Sequence, residues 1–277
     1  MALIAGGIGV PHTPYFPKFA ADQGPDGEIN RYFGMARAAL ETQAPDVIIL
    51  IDTDHFNTFY FDCFPTFGVG IDDTFLGPVD DVALMPPRDF ISDRALAAHL
   101  FRGLVHEGFD AAHVTHYQVG HSIGVPLYFL TPGYDVPVIP IFLNGHLPPM
   151  PSSKRSLAFG EALGAAIRAW EQDIRVTVIG TGSFSLDVAG PLMDPGENFG
   201  VPDLEWAKRV TALMRSGDVG TLCDEATEPR MLAAGNVGGE VLNWIAMLGA
   251  VGPGQADWIE LQEIRGHAFA AWIGDQA

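Results

Sequence analysis

The feature that most constrains this chain is a set of short, nearly unbroken apolar runs, each ending in a polar turn. Leu3–Val10 leads into Pro11-His12, and Asp46–Ile51 (DVIILI) into Asp52-Thr53-Asp54-His55. Val136–Asn144 (VPVIPIFLN) leads into Gly145-His146, and Ile174–Gly180 (IRVTVIG) into Thr181-Gly182-Ser183. A run that is apolar at odd and even positions alike suits a strand covered on both faces. Between these runs lie stretches with helical spacing of apolar residues: Glu28–Thr42, Ser92–Glu107, Ser152–Glu171, Pro202–Arg215 and Gly238–Leu248. Strands alternating with helices predict an α/β fold with a mainly parallel central sheet and helices on both faces. The aromatic-rich segment Phe56–Gly70 is expected to add a small hairpin. No repeat, low-complexity tract or linker divides the chain, so residues 1–277 are read as a single domain.

Composition narrows the function classes. The 277 residues carry 15 Lys+Arg against 34 Asp+Glu, a formal charge of −19. With no basic stripe to neutralise phosphates, nucleic acid is not an expected partner, and an anionic membrane surface is disfavoured on the same ground. No apolar run reaches the roughly 20 residues of a membrane span. The N-terminus lacks a basic stretch ahead of its apolar run, which breaks at Pro11, so a cytoplasmic location is expected. Cys63 and Cys223 have no metal-finger spacing and are expected to be buried thiols.

In open α/β sheets functional groups gather at the carboxyl ends of the strands. His12 and His55 each follow a strand, and two imidazoles at one sheet edge suit a shared mid-row metal with an anionic third ligand. Glu240, in GNVGGEVLNWIAML, stands at the start of an otherwise apolar helix. It is either a first-turn residue favoured by the helix dipole or a buried carboxylate that needs a cation. Two histidines and one carboxylate would form the facial triad of non-haem Fe(II) oxygenases. His121, between Gly120 and Ser122, is placed for acid/base work, and His146 follows another strand end. His113 and His116 fall in a loop-to-strand segment and give weak support to a second metal site. His99, His106 and His267 read as packing or surface. Phosphate-loop, dinucleotide and serine-hydrolase motifs are missing.

Taken in order, several of these pieces resemble the class III extradiol ring-cleavage dioxygenases, in the branch of the catalytic subunits of protocatechuate 4,5-dioxygenase and gallate dioxygenase. They are His12, Asp54-His55, Pro65-Thr66-Phe67-Gly68-Val69-Gly70, Gly120-His121-Ser122-x-x-Val125-Pro126-Leu127, VPVIPIFLN, Gly180-Thr181-Gly182 and Gly235–Gly249 around Glu240. The resemblance implies Fe(II) held by His12, His55 and Glu240, with His121 near the bound oxygen and substrate. It also implies a histidine shortly after the Gly-Thr-Gly turn, where this chain has Leu186. Leucine cannot move a proton, so His116, His146 or Asp187 takes the role, or the substrate arrives ionised, or the reaction differs.

The expected function is extradiol cleavage of a catechol-type aromatic, an aromatic acid or an aminophenol, with O2 as co-substrate. The alternatives are a metal-binding scaffold on the same fold, for which Leu186 leaves room, and a Zn hydrolase on the same triad. The resemblance further implies a homodimer or larger assembly and, as in some relatives, a small companion subunit. An acidic substrate would need a local cation, and Lys154 and Arg155 are candidates. Phe56, Phe59, Tyr60 and Phe184 either wall a ring pocket or fill core.

Overall fold

The computed structural model describes residues 1–188 and 200–274. The chain enters through β1 (Leu3–Val10), α1 (Phe16–Gln23), α2 (Glu28–Gln43) and β2 (Val47–Asp52). It continues through β3 (Phe67–Gly70), β4 (Thr74–Gly77), β5 (Arg88–Ile91), α3 (Arg94–His106), β6 (Ala112–Val114) and α4 (His121–Leu130). Then come β7 (Val138–Leu143), α5 (Ser153–Arg168), β8 (Arg175–Thr181) and α6 (Leu204–Ser216). The last elements are α7 (Val219–Glu225), α8 (Glu228–Ala233), a short 3-10 turn (Gly238–Glu240), α9 (Val241–Val251), β9 (Trp258–Gln262) and β10 (His267–Ile273).

One eight-stranded sheet, ordered β6-β3-β7-β2-β8-β1-β10-β9, organises all of this. Its centre, β7-β2-β8-β1, is parallel, and the antiparallel pairs lie outside it, at β3–β7, β1–β10 and β10–β9. Every residue of β2 and β7 is buried, as their two-sided apolar runs require. Helices α5 and α9 cover one face with core residues such as Phe159, Leu163, Trp244 and Leu248. Helices α1, α2 and α4 cover the other around Phe33, Leu40, Ile123 and Phe129. The axes of α5 and α9 come close because small residues meet at the crossing. A side chain at Gly160 would run into the carbonyl oxygen of Ala246.

The hairpin is not where the sequence placed it. Within the aromatic segment only Phe67–Gly70 is a regular strand, and it joins the main sheet beside β6 and β7. The separate hairpin is β4–β5, Thr74 paired with Ile91. The aromatics upstream instead pack as a cluster, with Phe59 and Phe64 against Phe142 of β7. Cys63 is exposed rather than buried, whereas Cys223 is buried as expected.

No helix among the described residues is long and apolar enough to cross a membrane.

Candidate metal centre

Four parallel strands ending on one edge deliver their following loops to one place. His12 lies two residues past β1, His55 three past β2, His146 three past β7 and Ser183 two past β8. Glu240 meets them from above, at the junction of the 3-10 turn and α9. Asn243 locks that helix to the sheet. Its Nδ2 donates to Thr53 Oγ1 at 3.2 Å, just past β2, and to the Thr181 carbonyl at 2.9 Å, at the end of β8. Trp244 Nε1 donates to the Gly182 carbonyl at 3.2 Å. These bonds fix the height of the carboxylate over the strand ends.

Three side-chain atoms meet at nearly equal spacing. His12 Nε2 and His55 Nε2 are 3.0 Å apart, and each is 3.1 Å from Glu240 Oε1. Three cis donors of an octahedral ion, each about 2.1 Å from it, would stand about 3.0 Å apart, so this triangle suits a facially bound metal. Glu240 is 1% exposed, and its other oxygen accepts the Ser183 N–H at 2.9 Å. A buried carboxylate facing two imidazoles is the donor set a divalent cation needs, and these three residues form a group able to hold one. The nitrogens of His12, His55 and His121 also lie within 4.8 Å of one another, as do the ligand atoms of His55, His146 and Glu240.

The charge states of the metal-free protein follow from burial and proximity. Burial works against charge on His12, but Glu240 outweighs it and raises the imidazole pKa. Burial also opposes charge on Glu240, and His12 beside it wins, holding the carboxyl well below the usual range. Burial, and then His121, push His55 down to about 3, so its ring is neutral and its lone pair free to bind a cation.

The shell around the triad is built by two aspartates that sequence reasoning did not single out for a role. Asp54 accepts the N–H groups of Asn57, Thr58 and Phe59 at 3.1, 2.8 and 2.8 Å, shaping the turn that carries His55. Asp80 accepts from both the backbone N–H and Nδ1 of His121, which opens α4. That pairing fixes the ring and its tautomer, leaving Nε2 as its second nitrogen. His121 Nδ1 outweighs burial at Asp80 and lowers its pKa. No local motif in Pro78-Val79-Asp80-Asp81 announces this role; only the fold brings it to His121.

A cavity of about 860 Å³ opens over the triad. His12, His55, Glu240, His121 and His146 line it, together with Phe56, Leu186 and Asp187. His146 is buried, its ring 4.6 Å from that of His55, and burial lowers its pKa. His116 does not join them: its side chain is 93% exposed and faces Asp72. His113 is exposed against Phe101, so neither residue of the suggested second metal site reaches the cavity. Lys154 is exposed and paired with Asp224 at 2.7 Å, while Arg155 lies over the Phe109 ring; neither lines the cavity. Of the four aromatics, Phe56 lines it, Phe59 and Phe184 fill core, and Tyr60 is exposed.

His267, expected as a packing or surface residue, does pack but also reaches the site. It is buried, packs on Phe16, meets Ser183 Oγ at 3.0 Å through Nδ1 and lines the cavity. The available signal was the continuously apolar run after His267 in HAFAAWI, whose strand starts at this histidine.

Comparison with known proteins agrees with this architecture. The chain is 33% identical over 175 residues to a 2,3-dihydroxyphenylpropionate/2,3-dihydroxicinnamic acid 1,2-dioxygenase of Klebsiella pneumoniae subsp. pneumoniae, covering 63% of this chain and 54% of that protein. It is 32% identical over 177 residues to a similarly named dioxygenase of Pseudomonas putida, with the same coverage. The matched region thus spans about half the length of these curated relatives. In fold it is similar to the crystal structure of an uncharacterized protein from Escherichia coli K12, with a TM-score of 0.63 at 14% identity, covering 98% of this chain and 100% of that one. A family described as the catalytic LigB subunit of aromatic ring-opening dioxygenase matches residues 6–270, and the chain belongs to that family.

Proposed function

We propose that this chain is a non-haem Fe(II)-dependent extradiol dioxygenase that opens the ring of a catechol-type aromatic with O2. The observation that carries the proposal is the His12–His55–Glu240 triangle, three donor atoms 3.0–3.1 Å apart, facing a cavity of about 860 Å³. Family membership and the names of the relatives support the same chemistry. Iron held there would supply the redox chemistry that lets a catechol and dioxygen react side by side.

The chain's own residues do the rest. His121, held at Nδ1 by Asp80, accepts a proton from a substrate hydroxyl at Nε2, and the resulting cation stabilises charge developing on oxygen and returns the proton from Nε2. His146 takes the place of the family's second histidine, since Leu186 lines the cavity without a proton to move, His116 lies outside it, and Asp187, though it lines the cavity, is engaged by the Asn236 N–H. Phe56, near-parallel to the His146 ring at 6.1 Å, gives an aromatic substrate a flat wall. Both core clusters pack on one sheet, which supports residues 1–277 as one catalytic domain. A cytoplasmic location, a homodimer or larger assembly and a small companion subunit complete the proposal.

The test is anaerobic Fe(II) loading followed by a panel of catechols, aminophenols and gallate under oxygen. One O2 consumed per ring opened, with a new visible chromophore, is the expected result. Zinc in the protein as isolated and no oxygen uptake would favour a hydrolase instead. A protein that binds neither metal and consumes no oxygen would be a scaffold.

A further inference from the structure

From the turn between β9 and β10 we infer that Arg265 is the carboxylate-binding residue of an aromatic-acid subsite in the same cavity. Strand β10 runs antiparallel to β1 with Gly9 opposite Ala270. Continuing that register by three residues brings the start of β10 level with His12. The Glu263–Gly266 turn therefore stands at the same sheet edge as the triad. A chain of contacts connects the two: Glu240 accepts from Ser183 N–H, Ser183 Oγ meets His267 Nδ1, and Arg265 lies two residues before His267.

Arg265 is the one Lys or Arg among the described residues lining the cavity. No carboxylate of the described residues pairs with it, although the chain carries 34 acidic residues against 15 basic ones. Its neighbour Glu263 is taken by Lys208. Of the cavity's carboxylates, Asp80 is held by His121, Glu240 faces the two histidines, and Asp187 accepts the Asn236 N–H at 2.8 Å. The guanidinium lies 4.5 Å over the ring of Phe19, another lining residue, which orients the planar fork without consuming its donors. A half-buried, oriented guanidinium with no carboxylate partner among the described residues suits an anionic ligand group in a strongly acidic protein, and its fork matches a carboxylate. In a ligand spanning the cavity, the ring sits at the triad and the carboxylate at Arg265. The ring's chemistry rests on the dioxygenase proposal; the carboxylate site does not.

The experiment separates the two. Binding of 3-phenylpropionate and of its neutral amide, 3-phenylpropanamide, is measured by calorimetry on metal-free wild-type, Arg265→Gln and Arg265→Lys proteins. Arg265→Gln weakens acid binding about tenfold to a hundredfold, with amide affinity equal in the two proteins, and Arg265→Lys recovers part of the loss. Circular dichroism confirms that both variants are folded. Equal acid affinity in wild type and Arg265→Gln, a matched loss of acid and amide, or no acid binding by wild type would each overturn the assignment. In parallel, the Fe(II)-loaded wild type is given catechols under oxygen. Charge-dependent acid binding with no oxygen uptake keeps the Arg265 site and removes the dioxygenase proposal. Oxygen uptake with acid binding indifferent to Arg265 does the reverse.

Discussion

Replacing Gly182 by alanine tests whether the backbone after β8 sets the metal site. Gly182 follows the strand with φ +134°, a region that residues with a side chain rarely adopt. A Cβ there would sit 2.8 Å from Glu240 Oε2 and closer still to Glu240 Cβ. The positive φ costs about 1–3 kcal/mol and the overlap about 1–3 kcal/mol more, so Gly182→Ala should lower stability by about 2–6 kcal/mol. The chain can escape the overlap by moving either the turn or the Glu240 carboxylate, and both moves disturb the bond from Ser183 N–H to Oε2. Losing that support should weaken Fe(II) binding about tenfold to a hundredfold. The control is Gly217→Ala. It also forces a side chain into positive φ (+74°), with its Cβ 3.0 Å from Gln255 N and Gly254 C at the end of α6. Urea unfolding of the metal-free proteins and anaerobic Fe(II) titration of the folded ones give the two readouts. Both variants should lose stability, and only Gly182→Ala should lose iron affinity. Wild-type iron affinity in Gly182→Ala, or an equal loss in both variants, would refute the link between this turn and the carboxylate.

Three further outcomes follow from the surroundings of the triad. Asp52 is buried beneath α4, accepting from Ser122 Oγ at 2.7 Å and Tyr117 OH at 3.1 Å, and burial raises its pKa to about 7. Because the folded state holds this proton up to about pH 7 and the unfolded chain releases it near 3.8, Asp52's own contribution to stability falls as pH rises between those values, by about 4 kcal/mol at the limit, while His55 and His267, both pushed down to about 3, contribute in the opposite direction. Asp52→Asn should remove that falling contribution, so urea-derived stability of the metal-free variant rises with pH relative to wild type across this range, and a pH dependence identical to wild type would show that Asp52 does not hold the proton. His121→Phe should lower turnover about 100-fold or more with iron content intact, and wild-type turnover would end its role as proton donor. Asp80→Asn should lower turnover about tenfold by releasing the His121 ring, also with full iron content; loss of iron instead would make Asp80 a support of the metal rather than of His121.

The parts of the fold legible in the sequence are those where burial writes an unambiguous pattern. β2, β7 and β8 are apolar on both faces because they sit mid-sheet under helices, and their ends marked the edge where His12, His55 and His146 gather. Helix α4 was missed for the same physical cause. Eight of its ten residues are buried, so HSIGVPLYFL has no polar stripe, and its internal Pro126 argues locally against a helix that packing against α2 and the sheet sustains. Helix α1 is one short element with Pro17 in its first turn, too brief to show a period. The three triad positions were readable because each stands beside a strand end or opens an apolar helix. Asp80 and His267 were not, because the long-range pairings that bring them in, the β4–β5 hairpin region to α4 and β10 to β1, leave no mark in local spacing.

The central claim is that His12, His55 and Glu240 together hold one iron, and the most direct measurement is the anaerobic Fe(II) stoichiometry of the wild type beside His12→Ala, His55→Ala and Glu240→Ala. Wild type should bind one equivalent. Each variant should lose most of it while keeping its circular dichroism. A folded variant that retains a full equivalent would remove that residue from the ligand set and contradict the site described here.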